Sequence, residues 1–179
     1  ALFSGWLMSL GLVIISFPLA IPLGLIWSFL RMAKHRLPRA LGATYINIVR
    51  GTPLFLQLYI AFFGLPLMGV QMDPFMMGAI VLIMNSSAYL AEIFRAGIQS
   101  INKGQSEAAR SLGMSGMQTM FFVIIPQTVR RVIPTMTSEF ILMYKDTSLL
   151  AAVGVMELMM YAKTITAATG NVTPYIVAA

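Results

Sequence analysis

The sequence predicts an all-α, polytopic membrane protein, and three observations lead there. Of the 179 residues, 58% are hydrophobic and only 10% are charged, against about 25% charged in soluble domains. Mean hydropathy is correspondingly high, at +0.82. Apolar runs near the roughly 20 residues that cross a bilayer recur along the chain. Basic residues concentrate in alternate connectors between those runs, the positive-inside pattern of membrane proteins. That pattern accounts for the pI near 10.0 without nucleic acid as a partner. The absence of cysteine excludes disulfides, thiolate metal sites and thiol catalysis. The single histidine, His35, lies among basic residues and supports neither a metal site nor a catalytic triad.

The first predicted span is Ala1 to Leu30, which carries no charge before Arg31, Lys34, Arg36 and Arg39 open a basic loop. A second runs from about Thr52 to Val70, between Arg50 and Asp73. The connector that follows, Gly64 to Pro74, is rich in turn formers and devoid of basic residues. The third spans Pro74 to Ile98, with Glu92 and Arg95 near its end. The fourth runs from about Val132 to Met156, interrupted by Glu139 and by Lys145-Asp146-Thr147-Ser148. Glu157 to Pro174 reads as an interfacial tail, and a fifth span would begin near Tyr175. Both ends lie in apolar runs, so residues 1–179 read as a single transmembrane domain cut from a longer chain. A cleaved signal peptide is a poor reading of the first run, which at 30 residues is too long for one.

Charge sets the expected orientation. Arg31 to Arg50 holds five basic residues and no acid, and Arg95 to Arg131 holds five with one acid, Glu107. The loop between them carries only Asp73. Both basic loops therefore fall in the cytoplasm and the N-terminus falls outside. Trp6, Trp27, Tyr45 and Tyr59 read as aromatic-belt residues, and Arg50 and Arg95 as interfacial anchors.

The second basic loop, about residues 99–131, is too patterned for a simple connector. Ser106 is a candidate N-cap for a short helix on Glu107, Ala108, Ala109, Arg110 and Leu112. Gly113 permits a sharp corner, and Ser115 can cap a second helix running through Met117 towards Pro126. The expected product is helix, glycine corner, helix, stiff enough to transmit a push.

Glu107-Ala108-Ala109, Gly113 and Ile125-Pro126 resemble the EAA motif of binding-protein-dependent ABC transporter permeases. The resemblance continues through Ala88 to Ile98, Gly104-Gln105, Arg50-Gly51-Thr52-Pro53 and Lys145 to Leu149, which together look like the polar amino acid uptake type. It implies the type I ABC importer permease fold, with about five spans in the full chain and four complete here. It also implies a coupling loop, carried by Ser106, Glu107, Ala108, Ala109, Leu112 and Gly113, that docks on a cytoplasmic ABC ATPase dimer. A second permease chain, like or unlike, would complete the pathway, and an extracytoplasmic amino-acid-binding protein would deliver substrate. The setting implied is the bacterial cytoplasmic membrane. No cofactor is expected on this chain: a phosphate loop of the form GxxxxGK[ST] is missing from it, which leaves ATP and Mg to the partner.

Intramembrane polar groups mark candidate substrate contacts, because a charge in a span costs about 2.5–3.5 kcal/mol on insertion scales. Lys145, Asp146, Thr147 and Ser148 form one group. Adjacent residues cannot share a helical face, so Lys145 and Asp146 suggest an interrupted helix around a polar cavity. Asn85, Tyr89 and Glu92 form the other, at i, i+4 and i+7 on one face, although Glu92 could equally pair with Arg95 at i+3. Facing polar stripes of this kind suit a zwitterion. An ATP-independent channel is the competing reading and would need a pore-lining charge ring. An integral-membrane enzyme lacks convergent nucleophiles, bases or metal ligands.

Overall fold

The computed structural model describes residues 1–178, and these are helical throughout, joined by short turns and without a strand among the described residues. Helix α1 (Leu2–Met32) and helix α4 (Pro74–Gln99) are single unbroken helices long and apolar enough to cross a membrane. They form the central pair. Their backbones approach closely because small residues line the contact: a Cβ on Gly24 would sit 2.8 Å from Leu90 Cβ and 3.1 Å from the Ser87 carbonyl. Leu12, Val13, Ala20, Leu82 and Leu90 are almost completely buried between these elements.

Between α1 and α4 the chain departs from the expected basic loop. Residues Arg36–Gly51 form helix α2, with Gly42, Ile46 and Val49 buried at i, i+4 and i+7. Gly42 lies against Leu30 and Arg31 at the end of α1. The charges that suggested a loop are the solvated face of an amphipathic helix. Pro53 then forces Thr52 out of the helical region, to φ −109° and ψ 129°. Helix α3 (Leu54–Leu67, with a π-turn at Ile60–Gly64) leaves this elbow at 100° to α2. The second expected span is thus a bent pair that begins in the basic segment, rather than one helix from Thr52. Asp73 caps α4, its carboxylate accepting from the Phe75 and Met76 amides.

Two helices build the cytoplasmic connector expected at 99–131. Helix α5 (Lys103–Ser111) is followed by a corner at Leu112-Gly113, then by helix α6 (Gly116–Val153). Helix α6 contains a π-turn at Met120–Ile124 and tightens to a 3₁₀ turn over Thr147–Val153. Helix α7 (Leu158–Thr169) bends from α6 by 48°, after Gly154 at φ +84°. The first part of the segment expected to lie at the interface packs on α1: Gly5 of α1 meets Tyr161 and Leu158, and Ala162 is fully buried, while Ala167 to Thr173 are exposed. Glu157, 1% exposed, caps α7 by accepting from the Met159 and Met160 amides. Helix α8 (Thr173–Ala178) starts where a further span was expected.

The aromatic residues divide. Trp27 and Tyr45 stack at a centroid distance of 4.0 Å, and the Tyr45 hydroxyl lies 2.9 Å from Ser87 Oγ and 2.8 Å from the Met84 carbonyl. They join α1, α2 and α4 to one another, which gives them a packing role. Trp6 and Tyr59 remain exposed.

Candidate functional site: a glycine corner and a polar cavity

The corner between α5 and α6 is assembled from local hydrogen bonds. Asn102, not Ser106, caps α5: its Oδ1 accepts from the Gly104 amide at 2.8 Å. The helix starts earlier than expected because Asn102 is an equally good cap, and Ser106 lies half-buried inside it. At the far end Gly113 takes φ +84°, and the Gly113 and Met114 amides close the turn on the Arg110 and Ala109 carbonyls. Ser115 makes a capping box with Gln118, each side chain accepting from the other's amide, at 3.2 and 2.8 Å.

This corner is mounted firmly. Arg131 donates to the Ser100 carbonyl and hydroxyl at 2.6 and 3.0 Å, and Gln127 reaches Gln105 at 3.3 Å. Gly97 of α4 lies against Val132 and Thr128 of α6. Ala109 turns inward and is 5% exposed. Glu107, Ala108 and Gly113 face outward, as does Leu112 at 85% exposed. An apolar residue held out on a rigid corner suits insertion into a partner's groove.

Within the helices, a cavity of about 470 Å³ opens where the α2–α3 elbow meets α4 and α6. Asn85 and Tyr89 come from α4, Glu139 and Asp146 from α6, and Arg50, Thr52 and Pro53 from the elbow. The guanidinium of Arg50 lies 5.2 Å above the Tyr89 ring. Glu139 is 7% exposed. One basic and two acidic groups therefore share one space, and Asp146 is the last residue of α6 before it tightens to the 3₁₀ form.

The other sequence candidates lie elsewhere. Lys145, Thr147 and Ser148 line a smaller cavity of about 180 Å³ together with Ser9 and Glu157. Thr147 and Ser148 turn their hydroxyls back onto the Tyr144 and Lys145 carbonyls, both at 2.7 Å. Glu92 lines neither cavity. It is held by three arginines, with Arg95 at 2.7 Å, Arg31 at 3.1 Å and Arg50 at 3.9 Å. Arg50 and Glu139 are the charged cavity residues that the sequence reading left out; the signal for Glu139 was its charge inside an apolar run.

Comparison with known proteins matches residues 3–179 to the family of binding-protein-dependent transport system inner membrane components. The chain belongs to that family. The permease is 40% identical over 158 residues to the probable glutamine ABC transporter permease protein GlnP of Bacillus subtilis (strain 168), covering 88% of this chain and 72% of that one. It is 42% identical over 154 residues to the L-cystine transport system permease protein TcyB of the same organism, covering 86% of this chain and 66% of that one. With the arginine transport system permease protein ArtQ, also from that organism, identity is 36% over 176 residues, 97% of this chain and 80% of that one. Among solved structures, an amino acid ABC transporter crystallised with histidines superposes at a TM-score of 0.94 and 37% identity, covering 99% of this chain and 83% of that one. The inward-facing MetNI methionine ABC transporter shares the fold, at a TM-score of 0.81 and 20% identity, with coverage of 99% and 85%. The permease is thus a membrane protein with the all-α fold of ABC importer permeases. Among the described residues no group of three His, Cys, Asp or Glu side chains could hold a metal.

Proposed function

We propose that this chain is the transmembrane permease subunit of an ABC importer for polar amino acids. The observation that carries the reading is the mixed-charge cavity at the elbow. Asp146 and Glu139 suit the ammonium of an amino acid and Arg50 its carboxylate. Asn85 and Tyr89 supply neutral hydrogen-bonding groups. The relatives above are named as glutamine, cystine and arginine permeases, which supports polar amino acids as the class.

In this reading the protein lies in a bacterial inner membrane with Ala1 outside and the two basic connectors in the cytoplasm. The exposed corner of Glu107, Ala108, Leu112 and Gly113 docks on a cytoplasmic ATPase dimer, which binds ATP and Mg. A second permease chain closes the pathway, and an extracytoplasmic binding protein loads it. Closure of the ATPases moves the corner, and the corner's bonds to α4 and α6 carry that motion to the helices that wall the cavity. The chain performs no chemistry of its own. It converts a push into a change of cavity access.

The test is uptake into proteoliposomes holding the full-length permease, its ATPase and its binding protein, with a panel of radiolabelled amino acids. The reading predicts uptake that requires ATP on the cytoplasmic side. Uptake that proceeds without ATP would favour a channel.

A further inference from the structure

The α2–α3 elbow leaves backbone carbonyls without helical partners, as any helix end does, and a carbonyl left unpaired away from water is costly. Pro53 adds to the deficit, because it has no N–H to donate. One side chain satisfies two of these carbonyls. The Gln57 amide nitrogen donates to Val49 O at 2.8 Å and to Thr52 O at 2.9 Å. Carbonyl oxygens only accept, so this end of Gln57 must be its NH₂ group, with both hydrogens used. Its Oε1 therefore points the other way, where it accepts from Asn85 Nδ2 at 3.3 Å.

The constraint then passes to Asn85. Facing an acceptor, Asn85 must turn its own NH₂ towards Gln57, and its Oδ1 takes no donor from the protein among the described residues. Asn85 lines the cavity whereas Gln57 does not; Gln57 stands behind the wall, beside a separate apolar cavity. We infer that Gln57 is a positioning residue that pins the elbow and fixes Asn85 so that it offers a carbonyl acceptor to the substrate. The inference rests on the cavity being the substrate path. It adds a polarity to that site: Asn85 recognises an N–H donor of the amino acid, such as its ammonium or a side-chain amide, and not its carboxylate.

The experiment uses the assembled transporter with the full-length chain, purified in detergent, and equilibrium binding of radiolabelled L-glutamine and L-arginine. Asn85→Ala, Gln57→Leu and the double variant form a cycle. The expected result is about tenfold weaker binding for each single variant, the loss of roughly one good hydrogen bond. The double variant should lose little more than Asn85→Ala alone, since Gln57 acts through Asn85. Gln57→Met keeps the length of the side chain and serves if the leucine variant does not assemble. Unchanged binding in Asn85→Ala overturns the cavity reading itself. Weakened binding in Asn85→Ala with normal binding in the Gln57 variants overturns only the positioning role. Additive losses, or failure of both Gln57 variants to assemble, assign Gln57 to folding and overturn the positioning role as well.

Discussion

Lys145 and Asp146 are adjacent in the chain yet open onto different cavities: Asp146 onto the larger one with Arg50, Asn85 and Glu139, Lys145 onto the smaller one with Glu157. The separation follows from helix geometry, since neighbours on a helix project about 100° apart.

That separation predicts unequal effects on transport. Asp146→Asn should raise the KM for amino acid uptake about tenfold, a loss on the scale of one charge-assisted hydrogen bond. Lys145→Met should leave KM within about twofold. Uptake kinetics in proteoliposomes distinguish the two, and equal KM values for the Asp146 variant and wild type would remove Asp146 from the substrate path.

Glu92 is predicted to act in assembly rather than in recognition. It is the carboxylate shared by Arg31, Arg50 and Arg95, with its side chain 15% exposed. Glu92→Gln leaves three guanidiniums clustered without a counter-charge. The expected cost is about 2 kcal/mol, below that of a fully buried pair because the arginines are partly solvated. A lowered Tm in detergent at unchanged KM would show it. A changed KM at normal Tm would return Glu92 to the substrate path.

Close helix contact predicts a contrast between two glycines of α1. Gly24→Ala forces a Cβ against Leu90 and the Ser87 carbonyl, and should destabilise by about 1–3 kcal/mol. Gly11→Ala meets nothing within 4 Å and should be neutral, or stabilising by up to about 1 kcal/mol. Thermal unfolding of the two purified variants checks both signs.

The corner predicts a residue-specific response as well. Gly113 is open to space, so a side chain there is resisted only by φ +84°. Gly113→Val should cost the corner more than about 1 kcal/mol, while Gly113→Asn should be better tolerated, because Asn visits the left-handed region. ATPase activity coupled to transport should fall in that order.

Much of this was legible from sequence where one physical signal dominated. The charge-free run of α1 could only be a span. Gly113 and Ser115 marked the corner because few residues suit those backbone positions. The charges of Lys145-Asp146 in an apolar run suggested an interrupted helix, whereas α6 only tightens to a 3₁₀ turn there and bends after Gly154. Helix α2 was not legible, because its basic residues outweighed the quieter repeat of Gly42, Ile46 and Val49, and the elbow made by Pro53 was absorbed into a straight span. Ser106 was taken for a cap because Asn102, four positions earlier, competes on equal terms. Arg50 illustrates the harder limit: local sequence shows a basic residue at a helix end, and only tertiary structure brings it over Tyr89 and into the cavity beside Glu139.

Docking of the outward corner on an ATPase is the step that couples transport to ATP in the proposed function. Its most direct test is co-purification of the full-length permease with candidate ABC ATPase subunits in detergent, beside Glu107→Lys and Gly113→Asp. Both changes place new charge on the exposed face of the corner, and Asp, like Asn, visits the left-handed φ that Gly113 takes. Capture of an ATPase by the wild type and its loss in both variants is the predicted result. A folded wild-type permease that captures none, or variants that capture it equally well, would contradict the coupling role.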